Sequence, residues 1–363
     1  MDFPALMRFA VEQGASDLHL QAGQHPMLRL GGRIRIVQGS AITREELAKT
    51  LEDIAPESHK GKVTESAVQG WDFSYELPEV ARFRCSAYAA LGSLGLVMRV
   101  IKTKVPSLGD LNLPSVIMDI ALSGRGLTLL TGTTGSGKST TLAAMIDLIN
   151  NNEATKIICI EDPVEYIHTP KKALITQIEV GTDTPSFDQA LRQALRQDPD
   201  VVLVGELRDV ETLRMALRAA DTGHQVFATV HSARAAQTVE RIIAMFPPAE
   251  HKLLLSQLAH SLEAIISQRL IPIRDGENKR RPVVEILRGG AVTEKYVMEG
   301  KINELSTYLE GGESGMQSFD QHLLQLFQER VVSGTEALRW ATKPEALATA
   351  MRGIKYVGAK GAS

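Results

Sequence analysis

The chain runs to 363 residues, 44% hydrophobic and 23% charged, an ordinary globular balance with length enough for two or three domains. Its formal net charge of −3 offers no basic field to nucleic acid or to an anionic membrane surface. Two cysteines, Cys85 and Cys159, exclude a disulfide framework and a four-cysteine zinc site within one chain.

From the N-terminus, Met1-Asp2-Phe3-Pro4 does not open a signal peptide, and no apolar run approaches the ~20 residues of a membrane span. The expectation is a cytoplasmic protein without direct membrane insertion. Residues 5–13 read as a helix, and 28–30 with 33–37 alternate as strands about Gly31-Gly32. Thr43-Arg44-Glu45-Glu46 is a capping box that opens a second helix. Residues 73–75, 82–88 and 94–101 read as three further strands, so 1–103 are expected to form a small α+β domain. Pro106, Gly109 and Pro114 mark 102–114 as a connecting stretch, with the linker itself placed at 104–114.

Beyond it, apolar strands at 127–130, 156–160, 201–204 and 226–230 alternate with helical segments, the pattern of an α/β core with a parallel sheet covered on both faces. That core is expected over 115–290, with its last strand at 282–287. From Val292 the pattern turns helical, giving a C-terminal helical region over 291–363. Ser318 is placed to cap a helix over 319–331, Pro344 suits a first helical turn, and 353–363 read as a frayed tail.

Between the strand at 127–130 and the helix that follows lies Gly132-Thr133-Thr134-Gly135-Ser136-Gly137-Lys138-Ser139-Thr140, which matches G-x-x-x-x-G-K-[ST] in the strand–loop–helix setting the motif requires. Glycines let backbone N–H groups turn inward around phosphates, and the helix N-terminus adds partial positive charge. Lys138 is long enough to reach β- and γ-phosphates, and the Ser139 hydroxyl suits Mg²⁺. The chain therefore reads as a binder of a nucleoside triphosphate.

Hydrolysis also needs acids to position water and metal. Two acidic stretches are expected at carboxyl ends of strands, where open parallel sheets bind ligands. One is Glu161-Asp162-Pro163-Val164-Glu165. The other runs from Asp198-Pro199-Asp200 through an apolar strand to Gly205-Glu206, a Walker B element with Gly205 in the usual aspartate place. His224 and His231 bracket another strand. A strand-end histidine is as readily structural as it is a phosphate sensor, and spacing alone leaves both readings open. Arg82 and Arg84 alternate on one strand face with Arg99 on the next strand, either a solvated face or a source of guanidinium charge for phosphoryl oxygens.

These boxes, in the order G-x-T-G-S-G-K-S-T, I-E-D-P-V-E-Y-x-H, L-R-Q-D-P-D-V-V-L-V-G-E-L-R-D and T-G-H-x-V-F-A-T-V-H-S, resemble the secretion-superfamily ATPases. Within that group the chain is most similar to the type IV pilus retraction (twitching motility) ATPases. Ala15-Ser16-Asp17-Leu18-His19-Leu20 and Met316-Gln317-Ser318-Phe319-Asp320-Gln321 extend the likeness to nearly the whole chain. The resemblance implies a PAS-like N-terminal domain, then a RecA-like P-loop ATPase domain with C-terminal helices, ATP between the two domains, and a homo-hexameric ring. It implies Lys138 and Ser139 for phosphate and Mg²⁺, and Glu161, Asp162 and Glu165 as an acidic box in which Glu165 activates water. Glu206 becomes the Walker B glutamate with Arg208 in support, His224 and His231 the histidine box, and Arg82, Arg84 and Arg99 the charge-neutralising arginines.

The implied function is pilus retraction through an inner-membrane platform protein, with the motor peripheral at that membrane. The chain starts directly at the PAS-like domain and lacks a four-cysteine motif, which favours retraction over pilus assembly or type II secretion. A nucleic-acid motor shares the engine, but the charge and the lack of an aromatic–basic groove oppose it. The stretch 292–299 departs from the family pattern A-I-R-N-L-I-R-E, with Glu294 and Met298 in place of its two arginines. That departure suits a second reading, an accessory subunit that hydrolyses weakly and depends on a paralogous retraction ATPase.

Overall fold

A computed structural model describes residues 2–101, 104–274 and 279–353. The tail expected at 353–363 lies, beyond Gly353, outside the described residues, as do 102 and 103 of the connecting stretch. The chain forms two compact units. The first comprises Met1–Lys104, Asp162–Ile167 and Glu179–Asp183, and the second comprises Val105–Glu161, His168–Ile178 and Thr184–Ser363.

In the first unit, α1 (Phe3–Glu12) precedes strands β1 (Asp17–Gln21), β2 (Met27–Leu30) and β3 (Arg33–Ile36). Helices α2 (Arg44–Ile54) and α3 (Val63–Gln69) follow, then β4 (Trp71–Leu77), β5 (Ala81–Ala90) and β6 (Ser93–Val100). The six strands make one antiparallel sheet in the order β3-β2-β1-β6-β5-β4. Alternation sets its two faces: Phe83, Cys85 and Ala87 of β5 are buried, while Arg82 and Arg84 point the other way. Leu18, Leu20, Leu96 and Met98 join Phe83 in the core with Leu47 and Leu51 of α2. Each such side chain contributes roughly 1.5–3 kcal/mol by leaving water. The capping box forms as expected, the Glu46 N–H donating to Thr43 Oγ1 at 3.1 Å and the Thr43 N–H to Glu46 Oε2 at 2.9 Å.

The second unit opens with α4 (Val116–Ala121), β7 (Gly126–Thr131), α5 (Lys138–Asn152), β8 (Lys156–Glu161) and β9 (Leu174–Glu179). It continues with α6 (Phe187–Ala194), β10 (Val201–Val204), α7 (Val210–Asp221), β11 (Gln225–Val230), α8 (Ala235–Met245) and α9 (His251–Ser261). A hairpin follows, β12 (Leu262–Pro272) and β13 (Arg280–Arg288). The helices α10 (Ala291–Met298), α11 (Ile302–Glu310), α12 (Phe319–Gln328), α13 (Gly334–Trp340) and α14 (Pro344–Met351) complete it. The seven-stranded sheet runs β13-β12-β7-β11-β10-β8-β9, parallel from β12 through β8 and closed by antiparallel β13.

Of the stretch expected as a linker at 104–114, Lys104 belongs to the first unit and 105–114 to the second, where Leu108 is buried in the core. Two findings revise the expectations. The sheet is mixed, because β12 passes directly from α9 without a Gly or Pro to announce it and then pairs antiparallel with β13. The helix expected over 319–331 ends at Gln328. The C-terminal helices hold a satellite core of Phe319, Leu323, Leu326, Val332, Ala337 and Leu347, shared with Ile271 of β12 and Val283 of β13.

Candidate active site

The phosphate loop joins β7 to α5 at the carboxyl edge of the sheet. Gly132, Gly135 and Gly137 take φ values of 145°, 78° and 90°, which turn the chain back on itself around the mouth of α5. Lys138 is buried at 9% exposure, and its Nζ donates to the carbonyls of Gly132 at 2.9 Å and Thr133 at 3.2 Å, folded over the loop. The Ser136 hydroxyl is buried with no hydrogen-bond partner among the described residues. Three glycines of positive φ, a buried ammonium, an unspent hydroxyl and a helix N-terminus together make a polyanion cradle.

Two strand ends bring acids to the same edge. Glu161 ends β8 and accepts from Gln177 Nε2 at 3.4 Å. Glu206 follows β10, its Oε1 3.1 Å from His231 Nε2 and its Oε2 2.7 Å from an Arg208 nitrogen. Gly205 occupies its place because a side chain there would meet the Ile160 carbonyl at 3.2 Å and Glu161 Cα at 3.3 Å. The Gly205 N–H donates to that same Ile160 carbonyl at 2.7 Å, and Thr229 Oγ1 donates to the Gly205 carbonyl at 2.6 Å. These bonds fix where Glu206 leaves the strand.

His231 follows β11 and shares an open 800 Å³ cleft with Gly132, Thr133, Thr134 and Arg241. On the other side of the loop, Gly137, Thr140 and Thr141 line a 440 Å³ cavity with Asp110, Asn112 and Arg280.

Within one chain His224 lies at the opposite edge of the sheet from His231, as two residues that bracket one strand must. It precedes β11, whose first residue Gln225 pairs with Gly126 at the start of β7, whereas Val230 pairs with Thr131 beside the loop. A parallel strand carries its two ends to opposite edges, and His224 Nδ1 instead meets the Ala219 carbonyl at 3.0 Å and Thr222 Oγ1 at 3.1 Å. Asp200 is displaced likewise. It starts the β10 segment and accepts from Thr155 Oγ1 at 2.7 Å and the Lys156 N–H at 2.8 Å, so only Glu206 of that stretch reaches the phosphate edge.

The remaining candidates lie in the first unit. Asp162 and Glu165 are exposed there, on a turn that begins at a cis Asp162-Pro163 bond. Register places Ser74, Arg84, Arg99, Asp17 and Arg29 in one cross-strand row. Two of the three predicted arginines are already held by carboxylates. Arg82 bonds Glu179 at 2.9 Å, and Arg99 Nε bonds Asp17 at 2.8 Å. Arg84 is exposed and has no ion pair among the described residues. Burial works to raise the Asp17 pKa, but the Arg99 and Ser16 hydrogen bonds prevail and hold it below the usual carboxylate range.

Sequence reasoning missed Glu179, Gln268 and Glu285. Glu179 is 2% exposed and takes the Val164 N–H at 3.2 Å and Thr182 Oγ1 at 3.0 Å as well as Arg82, tying the acidic turn to the arginine strand. Glu285 of β13 accepts the Ala235 N–H at 2.8 Å, capping α8 just beyond His231. For Glu285 the available signal was a charged residue inside the apolar run Val283-Val284-Glu285-Ile286-Leu287.

A phosphate loop between a parallel strand and its helix, with a glutamate at a neighbouring strand end, defines a RecA-like P-loop nucleoside triphosphatase. Residues 3–307 match the family described as type II/IV secretion system protein. The chain is 41% identical over 346 residues to the type IV pilus retraction ATPase PilT of Pseudomonas aeruginosa, covering 95% of this chain and 99% of that one. It is 39% identical over 342 residues to the type IV pilus ATPase PilU of the same organism, covering 94% and 89%. The crystal structure of the pilus retraction motor PilT with bound ADP matches with a TM-score of 0.88 at 37% identity, over 95% of this chain and 98% of that one. The chain belongs to the type II/IV secretion system protein family and is one of its P-loop ATPases.

Proposed function

We propose that this protein hydrolyses ATP as a homo-hexameric motor that powers type IV pilus retraction. The observation that carries the reading is an intact phosphate loop beside a glutamate clamped by His231 and Arg208, in a chain this similar to a retraction ATPase. The domain division proposed with it is 1–103, 115–290 and 291–363, the first PAS-like. The motor works in the cytoplasm, peripheral at the inner membrane, against a platform protein of the pilus machine. Among the described residues no helix is long and apolar enough to cross a membrane.

In this reading Lys138 exchanges its two loop carbonyls for β- and γ-phosphate oxygens, and the loop N–H groups take the rest of the charge. Among the described residues no three His, Cys, Asp or Glu side chains are grouped to hold a metal. That suits Mg²⁺, which takes few protein ligands and keeps waters and phosphate oxygens. Ser139 is the residue that would hold it, and the ion would supply charge neutralisation. Glu206 and Glu165 orient and activate the attacking water, Glu161 and Asp162 complete the acidic box, and His231 reports phosphate occupancy to Glu206. Arg82, Arg84 and Arg99 supply compensating guanidinium charge. Arg82 and Arg99 must first exchange Glu179 and Asp17 for phosphate, so their recruitment depends on nucleotide state.

The accessory reading rests on α10. There Glu294 lies 3.3 Å from His260, and Met298 is 47% exposed, at the positions of two family arginines. Steady-state ATPase assays on the purified chain, with oligomeric state measured on the same samples, separate the two. Turnover by a hexamer that vanishes in Lys138→Ala supports the self-sufficient motor. Nucleotide binding without turnover, relieved only by a paralogous ATPase, supports the accessory subunit.

A further inference from the structure

Strand β12 is apolar along most of its length, yet it buries a glutamine: Gln268 is 2% exposed. A buried amide must find partners for both its donor and its acceptor, because an unpaired one costs folding free energy. Both partners found here belong to the phosphate loop and its helix. Gln268 Oε1 accepts from Thr141 Oγ1 at 2.8 Å, and Gln268 Nε2 donates to the Ser136 carbonyl at 2.8 Å.

The fit is close at two glycines. A Cβ on Gly137 would stand 2.8 Å from Gln268 Nε2, and one on Gly132 would stand 2.4 Å from the Gln268 carbonyl oxygen. Both ends of the loop are thus seated on this one residue. The bond to Ser136 has a directional consequence. A trans peptide is planar, with its C=O and N–H pointing opposite ways. Pulling the Ser136 carbonyl toward β12 therefore turns the Gly137 N–H of the same peptide away from β12. The mount itself is rigid. The next residue, Arg269, stacks its guanidinium 3.9 Å above the Phe319 ring and donates to the Trp340 carbonyl at 2.7 Å, gripping the strand through the C-terminal helices.

We infer that Gln268 is a positioning residue for phosphate binding: its amide orients the Ser136–Gly137 peptide and ties the loop to α5 through Thr141. The inference rests on the ATPase reading and assigns to β12 a part in nucleotide affinity. Gln268 touches no substrate atom in this role. It holds the groups that do.

The test measures KM and kcat for ATP on the full chain, beside nucleotide-free thermal melting. Gln268→Leu keeps the volume and removes both bonds. Gln268→Glu keeps the acceptor and sets an oxygen against the Ser136 carbonyl. Each is expected to raise KM about tenfold or more with kcat within about threefold, the pattern of lost ground-state binding. Thr141→Val is expected to raise KM severalfold, Thr141→Ser to restore it, and Thr141→Val to add little in the Gln268→Leu background. A Gln268→Leu protein that melts earlier but keeps the wild-type KM would make Gln268 merely structural and overturn the inference. Should that variant not fold, a wild-type KM in both Gln268→Glu and Thr141→Val overturns it equally. Absence of ATP binding and turnover in the wild-type chain defeats the ATPase reading itself, and the inference with it.

Discussion

The two edges of the second unit's parallel sheet carry similar residues and do different things. At the amino edge, Asp200 and His224 are spent on turns: the carboxylate binds Thr155 and Lys156, and the imidazole meets the Ala219 carbonyl. At the carboxyl edge, Glu206 and His231 bind each other beside a helix N-terminus and a buried lysine. The difference follows from strand polarity. Helix α5 turns its partial positive end toward the carboxyl edge, so only there is a polyanion stabilised. In the proposed mechanism, an acid and a histidine become machinery only where the fold has placed a charge for them to serve.

The largest effect that tests this comparison is loss of the lysine. Lys138→Ala is expected to lower steady-state ATP turnover on the order of 10³-fold or more, because the remaining N–H groups cannot replace an ammonium at the γ-phosphate. Phosphate release near the wild-type rate would place the chemistry elsewhere. Glu206→Gln should come next, lowering turnover on the order of 10²–10³-fold while ATP affinity stays within a few-fold. Glu165→Gln is expected to behave alike, and equilibrium titration with a slowly hydrolysed ATP analogue separates its binding from its turnover. Either variant turning over ATP at the wild-type rate removes that carboxylate from the water-activating role.

The histidines test the polarity argument most directly. His231→Ala should cost roughly 10–100-fold in kcat, since it leaves Glu206 held by Arg208 alone. His224→Ala should change the kinetics of nucleotide binding within one chain by less than about threefold, because its bonds are to the Ala219 carbonyl and Thr222 Oγ1 at the far edge. Equal losses in the two variants would break the comparison, and would mean that the amino edge of one chain acts on nucleotide held by another.

Much of this was legible in the sequence, for a physical reason. Parallel strands buried on both faces must be continuous apolar runs, so 127–130, 156–160, 201–204 and 226–230 stood out, and the loop motif fixed which edge mattered. Strand β12 did not stand out. Its run Leu262-Glu263-Ala264-Ile265-Ile266 continues the apolar spacing of α9 with no Gly or Pro at the boundary, and period alone does not separate a short apolar strand from the end of a helix. Missing β12 also hid Gln268. The histidines were legible as a pair that brackets one strand, which puts one at each edge, but spacing alone did not say which partners each would meet. Glu179 was obscure because its partners Arg82, Val164 and Thr182 are scattered in the chain and meet only after folding.

Two further histidines sharpen the contrast, since both are buried. His168 and His322 are 7% and 3% exposed, and burial pushes each pKa from 6.5 to about 4. His322 Nδ1 accepts the Val284 N–H at 3.1 Å, so protonation there would also forfeit a bond between α12 and β13. The sign is fixed by which state binds protons first. Below pH 6.5 the unfolded chain takes them up while the folded chain does not, so each histidine drains stability as pH falls toward about 4, by roughly 3 kcal/mol in all. Above pH 6.5 neither has any effect. Denaturant unfolding at successive pH values should therefore show stability falling by about 1.4 kcal/mol per pH unit for each group in that window. His322→Gln, which keeps a side-chain acceptor and loses the titration, should flatten the slope by one such share whatever it does to absolute stability. An unchanged slope would show that His322 takes up its proton without unfolding, and that the satellite core around α12 yields to charge more easily than its burial implies.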